Sequence, residues 1–208
     1  YRFINAGIAE QNLVGMAAGL AAEGLRPIVT TYATFLTMRA CEQIRHFMGY
    51  MSLPIVAIGS GAGLSQGFAG NTHYTIEDIS MMRAIPNIKI FSPADAASAV
   101  KLFELSMETR EPIYMRLTGG MNMPMVYTED APFSFGGSNI IREGKDISIL
   151  ATGTMVYNAV KVADLLQEKG ISVQVVDMYS IKPIDSQLIS KVMNQSLIVT
   201  LEEHSKIG

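Results

Sequence analysis

The stretch that decides the fold is residues 5–12, which read NAGIAEQN. The preceding residues 1–4 (YRFI) are rich in side chains that favour strands. Asparagine and glycine then interrupt the strand pattern, and apolar residues recur at close to the helical period over residues 6–23. We therefore predict a strand at residues 1–4, a turn, and a helix over residues 6–23 that carries Glu10 in its first turn.

Glu10 has two interpretations. An acid in the first turn of a helix commonly lies on the surface and complements the helix dipole. The helix over residues 6–23, however, is crowded with glycine and alanine, which indicates close packing against another backbone. Glu10 would then be buried at an interface, where a carboxyl tends to have a raised pKa and is a candidate for function.

Composition bounds the class of protein. The chain has 208 residues, of which 49% are hydrophobic and 17% charged, and this is enough for one large domain or two smaller ones. The net charge of -3 comes without a basic block, so nucleic-acid binding has no electrostatic support. No apolar run is long enough to span a membrane. A single cysteine, Cys41, fits a reducing compartment, and we expect a cytoplasmic protein.

Both ends of the sequence look cut. The chain does not begin with methionine, and it stops shortly after a predicted strand. We expect it to be a piece of a longer polypeptide.

Strands and helices alternate over residues 26–117. Predicted strands cover residues 26–32, 53–58, 88–91 and 112–117, and predicted helices cover residues 33–49, 76–85 and 92–109, the last of them capped by Ser92. This order predicts right-handed crossovers and a parallel sheet, whose ligands bind beyond the carboxyl ends of the strands.

A second α/β unit follows a stretch rich in glycine and proline. We predict a first domain over residues 1–125, a linker over residues 126–145 and a second domain over residues 146–208. The fold class is therefore two three-layer α/β domains with mainly parallel sheets.

Several stretches, in this order and spacing, resemble the transketolase family of thiamine diphosphate enzymes. In the first domain they are GIAEQN at residues 7–12, YATFL at 32–36, GNTH at 70–73 and SPAD at 92–95. In the second domain they are DMYSIKP at 177–183 and EEHS at 202–205. The first domain is similar to the pyrimidine-binding domain of transketolases, and the second to their C-terminal domain.

The resemblance implies roles for five positions in cofactor binding, substrate binding and catalysis. Glu10 matches the glutamate that hydrogen-bonds the aminopyrimidine ring of the cofactor and activates it. Phe35 matches the aromatic residue that stacks on that ring, with Tyr32 as a second wall, although both could be ordinary core residues. His73 matches a histidine that bonds or protonates the substrate oxygen. Arg116 matches an arginine that holds a substrate phosphate, and its structural alternative is a salt bridge.

The sequence departs from the family at the substrate side. Ala69 stands where transketolases usually have an aspartate that reads a substrate hydroxyl, and Asn71 replaces a proline. Gly61 stands near the position of a phosphate-contacting histidine. Cofactor activation is therefore expected to be intact, whereas the usual pentose phosphates are in doubt as substrates.

The sequence lacks the Gly-Asp-Gly segment with which thiamine diphosphate enzymes bind a divalent metal. The resemblance therefore implies that Mg²⁺ or another divalent metal, and the diphosphate of the cofactor, are held by a separate domain or subunit. It also implies a cofactor site between chains, in a homodimer or a heterotetramer.

The leading hypothesis is transfer of a two-carbon ketol unit between sugars or sugar phosphates. A 1-deoxyxylulose-5-phosphate synthase and the β subunit of a 2-oxoacid dehydrogenase are enzymatic alternatives, and Thr72-His73 fits the sugar-handling branch better than the dehydrogenase. A non-catalytic assembly subunit is the alternative from another class.

Overall fold

The computed structural model describes residues 2–120, 123–128 and 130–208, which form two α/β units. The strands are β1 (Ile28–Tyr32), β2 (Val56–Ala62), β3 (Lys89–Phe91), β4 (Ile113–Thr118), β5 (Asn139–Arg142), β6 (Ile147–Ala151), β7 (Val173–Asp177), β8 (Ser180–Lys182) and β9 (Leu197–Leu201). The α-helices are α1 (Glu10–Ala22), α2 (Cys41–Gln43), α3 (Asp78–Ala84), α4 (Ala96–Met107), α5 (Met155–Gln167) and α6 (Ser186–Val192). Two π-helical segments, Phe35–Arg39 and Ile44–Tyr50, flank α2, and a 3₁₀ turn covers Gly67–Ala69.

The first sheet has the strand order β1-β2-β4-β3-β8. Its first four strands are parallel, as predicted, and β8 pairs antiparallel with β3. Helices cover both faces: Ala57 and Tyr114 pack with Val14 of α1, whereas Met115 packs with Leu102 of α4 on the opposite face. The predicted α/β layering is confirmed for this sheet.

The second sheet has the order β5-β7-β6-β9, and β5 is its antiparallel strand. Val175 packs with Ala159 of α5 on one face, and Val176 packs with Leu188 of α6 on the other. The segment predicted as a linker, residues 126–145, contains β5, so the second sheet takes one of its strands from this segment. The strand β8, which follows β7 of the second sheet along the chain, belongs to the first sheet. Each unit therefore interrupts the other along the chain. The predicted domain boundaries themselves stay a prediction.

The start of the chain differs from its prediction. The described residues 2–8 contain no strand, and α1 begins at Glu10 rather than at Ala6. The side chain of Asn5 accepts a hydrogen bond from the Gly7 N–H at 2.9 Å, and Gly7 has φ +70°. This local turn holds the backbone outside the helical region, which glycine tolerates without strain. Glu10 is therefore the first residue of the helix.

The segment predicted as a helix over residues 33–49 is wound more widely than an α-helix. From Leu36 onward, its completely buried hydrophobic residues recur every fourth position, at Leu36, Ala40, Ile44 and Met48. A period of 3.6 residues predicts a different buried face, which includes Phe35. Backbone bonds of the π type, such as the Ala40 N–H donating to the Phe35 carbonyl at 3.2 Å, shift the period and leave Phe35 at the edge of the core.

The N-cap of α4 is Asp95 and not Ser92. Asp95 and Ser98 form a reciprocal capping box, in which the Ser98 N–H donates to Asp95 Oδ1 at 2.9 Å. The other carboxylate oxygen accepts the N–H groups of Val126 and Tyr127 at 2.7 and 2.8 Å. One buried acid therefore starts a helix of the first unit and fixes the chain that leads to the second.

A second buried acid, Asp177, lies at the end of β7. The Tyr127 hydroxyl donates to Asp177 Oδ2 at 2.7 Å, and Asp177 Oδ1 has no partner within the described part of the chain. Burial in this apolar interior raises the pKa of Asp177 to about 8, because desolvation penalises the charged form more than one hydrogen bond stabilises it.

No helix in residues 2–120, 123–128 or 130–208 is long and apolar enough to cross a membrane.

We expect the raised pKa of Asp177 to make the protein less stable as the pH rises from about 5 to 8. The folded state keeps the Asp177 proton up to about pH 8, whereas the unfolded chain loses it near 4, so deprotonation favours unfolding in this window. Asp177→Asn should remove a slope of about 1 kcal/mol per pH unit from the free energy of unfolding. Urea denaturation at several pH values measures this, with Asp164→Asn at a more exposed site as the control. An unchanged slope in Asp177→Asn would contradict the prediction.

Candidate active site

The candidate site begins at the N-terminus of α1. Glu10 is only 6% exposed, and its Oε2 accepts a hydrogen bond from Arg39 Nη1 at 2.8 Å. Its neighbours on the helix, Val14 and Ala17, are part of the core, so α1 is fixed against the first sheet. The interpretation of Glu10 as a merely exposed acid is therefore wrong, and the expected burial is confirmed within a single chain.

The electrostatic state of Glu10 differs from its prediction. Burial of the carboxyl raises its pKa, but the hydrogen bond and positive charge of Arg39, together with the backbone N–H of Glu10, outweigh burial. The pKa of Glu10 consequently lies below its ordinary value. The expectation of a raised pKa did not include a counter-charge, because nothing in the sequence placed Arg39 beside Glu10.

Three aromatic rings lie together beyond the ends of the strands. Tyr32 ends β1, Phe35 opens the first π-helical segment, and His73 belongs to the loop after β2. Ring centroids are 5.8 Å apart for Tyr32 and Phe35, 5.4 Å for Phe35 and His73, and 6.1 Å for Tyr32 and His73, all in edge-on geometry. Tyr32 is 39% exposed and the other two rings are half-buried, so this cluster presents aromatic surface to solvent.

Arg39 connects this aromatic cluster to the acid. Its guanidinium carbon lies 4.3 Å from the centre of the Phe35 ring while Nη1 contacts Glu10. The structure therefore brings together four of the predicted site residues, which are Glu10, Tyr32, Phe35 and His73.

The loop that carries His73 is anchored at both ends by the second unit. Gly63 and Thr75 exchange two backbone hydrogen bonds of 2.8 and 3.2 Å at the neck of the loop. The Glu203 side chain packs so closely on Gly63 that a Cβ at this position would collide with it. Beyond the neck, the Ser205 N–H donates to the Ile76 carbonyl at 2.7 Å. The segment after β9 thus holds the base of the substrate-side loop.

Within this loop, the His73 ring is held by its neighbours. Thr72 Oγ1 and His73 Nδ1 share a hydrogen bond of 2.9 Å, which leaves Nε2 as the other polar atom of the ring. Ala69 closes the 3₁₀ turn, and Asn71 follows Gly70, whose φ is +82°. Two of the three substrate-side departures, Ala69 and Asn71, therefore lie on the same loop as His73.

Arg116 lies in the interior, and its partners are not residues of this cluster. It is completely buried on β4, and its Nε donates to Asp78 Oδ2 at 2.8 Å while Nη2 donates to the Glu203 carbonyl at 2.8 Å. The Tyr114 hydroxyl also donates to Asp78 Oδ2 at 2.8 Å. This geometry favours the salt-bridge role of Arg116, which was the structural alternative; a contact with a substrate phosphate stays an untested prediction.

Sequence reasoning missed Arg39 and Asp78. Arg39 follows Phe35 by four residues, a spacing that puts two side chains on one helical face, and this signal could have drawn attention to it. Asp78 begins the short helix α3 and looks like an ordinary first-turn acid. Its partner Arg116 is 38 residues away, and only the packing of α3 against β4 brings the two together.

Comparison with known proteins identifies both units. Residues 1–123 match the family model of the transketolase pyrimidine-binding domain, and residues 136–208 match that of the transketolase C-terminal domain. The chain belongs to the transketolase family. Glu10, Tyr32, Phe35 and His73 all lie in its pyrimidine-binding domain.

Several curated relatives are transketolase subunits. The chain is 38% identical to a subunit of the apulose-4-phosphate transketolase of Phocaeicola vulgatus, over the whole of this chain and 67% of that protein. It is 35% identical to a 6-deoxy-6-sulfo-D-fructose transketolase subunit of a Clostridium species, over the whole chain and 64% of that protein. It is also 37% identical to the 1-deoxy-D-xylulose-5-phosphate synthase of Crocosphaera subtropica, of which it covers 33%. The chain thus spans about two thirds of the length of its transketolase-subunit relatives.

A solved structure supports the fold directly. The chain superposes on a split-gene transketolase, described as an inactive β4 tetramer, with a TM-score of 0.90 and 41% identity. The match covers 99% of this chain and 67% of that one. The predicted fold class and family are confirmed.

Among the described residues, no group of three or more His, Cys, Asp or Glu side chains is arranged to hold a metal ion.

We expect Arg116→Met to lower the free energy of unfolding by about 3–5 kcal/mol, because Asp78 would keep a buried charge without its partner. Asp78→Asn in the same background should recover part of this loss, and a double-mutant cycle measured by urea denaturation gives the coupling. Arg142→Met is the control, since Arg142 and Asp164 form a more exposed pair worth at most about 1 kcal/mol. Equal effects of the two arginine substitutions would contradict a special role for the buried pair.

Proposed function

We propose that this chain is the pyrimidine-binding part of a thiamine diphosphate-dependent transketolase that transfers a two-carbon ketol unit between sugars or sugar phosphates. The observation that carries the proposal is the buried carboxyl of Glu10 beside solvent-exposed aromatic rings, in a transketolase pyrimidine-binding domain. Arg39 contacts both the Glu10 carboxylate and the Phe35 ring. Membership of the family alone would not assign an activity to this chain, whereas this combination of side chains suits one particular cofactor.

The residues present fit thiamine diphosphate by the chemistry of their side chains. A buried carboxyl can hydrogen-bond a ring nitrogen, and the half-exposed rings of Phe35 and Tyr32 offer flat apolar surface on which a heteroaromatic ring packs. When bound, thiamine diphosphate supplies a nucleophilic carbon that accepts and passes on the two-carbon unit. We propose that the diphosphate and Mg²⁺ or another divalent metal are held by another domain or subunit, because this sequence contains no Gly-Asp-Gly.

Each residue of the site has a defined task in this proposal. Glu10 presents its buried carboxyl at the rigid start of α1, where it can exchange a proton with a ring nitrogen once the Arg39 contact, which lowers its pKa, is released. Phe35 and Tyr32 orient the ring and exclude water from it. His73, held at Nδ1 by Thr72, offers Nε2 to a substrate oxygen as a hydrogen-bond partner or proton donor.

The proposal does not assign a particular sugar as the substrate. Two relatives are named for different sugars, apulose-4-phosphate and 6-deoxy-6-sulfo-D-fructose, so substrates differ among proteins of similar sequence. Ala69 removes a carboxylate from the loop of His73, which favours a substrate other than the usual pentose phosphates. The second candidate is a synthase activity like that of the Crocosphaera relative. It is considered because that relative is 37% identical to this chain over the whole chain.

The proposal requires a partner. The Phocaeicola relative is named as one subunit of its enzyme, and the solved relative comes from a split gene. Both names support a separate partner subunit. We propose that this subunit binds the diphosphate, in a heterotetramer, or that the two halves are fused in a homodimer. The surface around the site carries exposed apolar side chains, among them Ile8 at 95% and Phe68 at 88%, and a partner domain would cover them. A cytoplasmic location is also part of the proposal; it rests on the single free cysteine, Cys41.

Glu10→Gln should lower ketol-transfer activity by a factor of about 10²–10⁴ in the presence of the diphosphate-binding partner, because a glutamine amide can donate a hydrogen bond but cannot transfer a proton to a ring nitrogen. Circular dichroism should show an unchanged fold. Steady-state assays with a panel of ketose donors and aldose acceptors measure the loss, and Glu42→Gln, at an exposed acid of α2, is the control. If both variants keep full activity, Glu10 has no catalytic role and a non-catalytic assembly role becomes the better hypothesis.

The chain by itself should bind thiamine diphosphate and Mg²⁺ only weakly, because most of the binding energy for the charged diphosphate would come from the partner. Calorimetric titration of the chain alone and of the chain mixed with its partner measures the difference. Equally tight binding in both titrations would show that the chain carries its own diphosphate site.

A further inference from the structure

Arg39 occupies both contacts that a heteroaromatic ring would need in the candidate site. Its Nη1 lies 2.8 Å from Glu10 Oε2, and its guanidinium carbon lies 4.3 Å from the centre of the Phe35 ring. A guanidinium is planar and stacks on aromatic faces, and it donates hydrogen bonds to carboxylates. Its shape and its partners are therefore those of a small flat heterocycle that is bound between an acid and an aromatic wall.

The wide winding of this segment puts Arg39 over Phe35. The segment Phe35–Arg39 is π-helical, and the buried residues Leu36 and Ala40 define the line that faces the core. Phe35 and Arg39 are also four residues apart and lie on the helix face next to that line. Because a π-helical turn contains more than 3.6 residues, Arg39 lies more nearly above Phe35 than it would in an α-helix. The Arg39 carbonyl also accepts a hydrogen bond from Gln11 Nε2 at 3.2 Å, which fixes the end of the segment to α1.

The two partners of this ion pair differ in burial. The Glu10 side chain is 7% exposed, so its charge needs compensation within the protein. The Arg39 side chain is 47% exposed and can transfer its charge to water by rotating away. The pair can therefore open from the arginine side without unfolding α1.

We propose that Arg39 occupies the pyrimidine site of the free chain and is displaced by the cofactor. In the free chain Arg39 covers Phe35 and neutralises Glu10, and in the complex the aminopyrimidine ring of thiamine diphosphate takes over both contacts. This inference rests on the proposed function. Opening the ion pair costs free energy, and the apparent Kd for the cofactor therefore equals the intrinsic Kd divided by the population of the open state. Arg39 thus sets the affinity for the cofactor by competing with it for Glu10 and Phe35.

A purely structural salt bridge makes the opposite prediction. If Arg39 only supports Glu10, its removal should loosen the site and weaken cofactor binding. If Arg39 competes with the ring, its removal should strengthen binding. It should also leave a buried, uncompensated carboxyl whose pKa rises, which favours the protonated form that can donate to a ring nitrogen.

The test is calorimetric titration of thiamine diphosphate with saturating Mg²⁺ into the assembly of this chain and its diphosphate-binding partner. Arg39→Gln should lower the Kd by roughly 3–30-fold, and Arg39→Lys, which keeps the charge without the planar group, should lower it less. Arg45→Gln is the matched control, because Arg45 lies over Tyr50 at 4.6 Å in the second π-helical segment without contacting Glu10. Its Kd should equal that of the wild type.

A second measurement does not depend on the cofactor. Carboxyl NMR titration of the full chain should show a higher pKa for Glu10 in Arg39→Gln than in the wild type. An unchanged Glu10 pKa, or an unchanged or higher Kd in Arg39→Gln while the wild type binds, would overturn the inference alone. A wild-type assembly that binds no thiamine diphosphate would overturn both this inference and the proposed function.

Discussion

The buried ion pair between Arg116 and Asp78 is the interaction on which the arrangement of this protein depends. Arg116 lies on β4 in the middle of the first sheet, Asp78 opens α3, and the guanidinium also binds the carbonyl of Glu203 behind β9. One side chain therefore joins a strand, a helix and the tail of the second unit. Both charges are completely buried, so neither can lose its partner without a large cost.

The position of the substrate-side loop follows from that constraint. Because Glu203 is fixed by Arg116, its side chain can pack on Gly63, and the chain that follows can pair Ser205 with Ile76. These contacts close the neck of the loop that carries His73 beside Phe35 and Tyr32. The second unit thus contributes to the candidate site by holding the base of the loop, and among the described residues the rings of the aromatic cluster all come from the first unit.

The acid of the site is governed by a balance of two opposing effects. Burial alone would raise the pKa of Glu10, whereas Arg39 lowers it below the ordinary value. The lowering comes from one half-exposed side chain, Arg39, and from the backbone N–H of Glu10. The π-helical segment places that side chain over Phe35, and the acid and the aromatic wall are consequently linked through a single guanidinium.

The sequence by itself determined the alternation of strands and helices, the mainly parallel sheets and the family, and it proposed Glu10, Tyr32, Phe35 and His73 as site residues, because these follow from local periodicity and from short motifs. It could not determine that α1 starts at Glu10, since the turn at Gly7 depends on a backbone conformation that composition does not encode. A period of 3.6 residues does not describe the wider winding after β1, and the contact of Arg39 with Glu10 joins residues 29 positions apart. Only the tertiary structure decided that Asp78 meets Arg116 and that Glu203 closes the His73 loop, because these partners are far apart in the chain and meet only when the two sheets are packed.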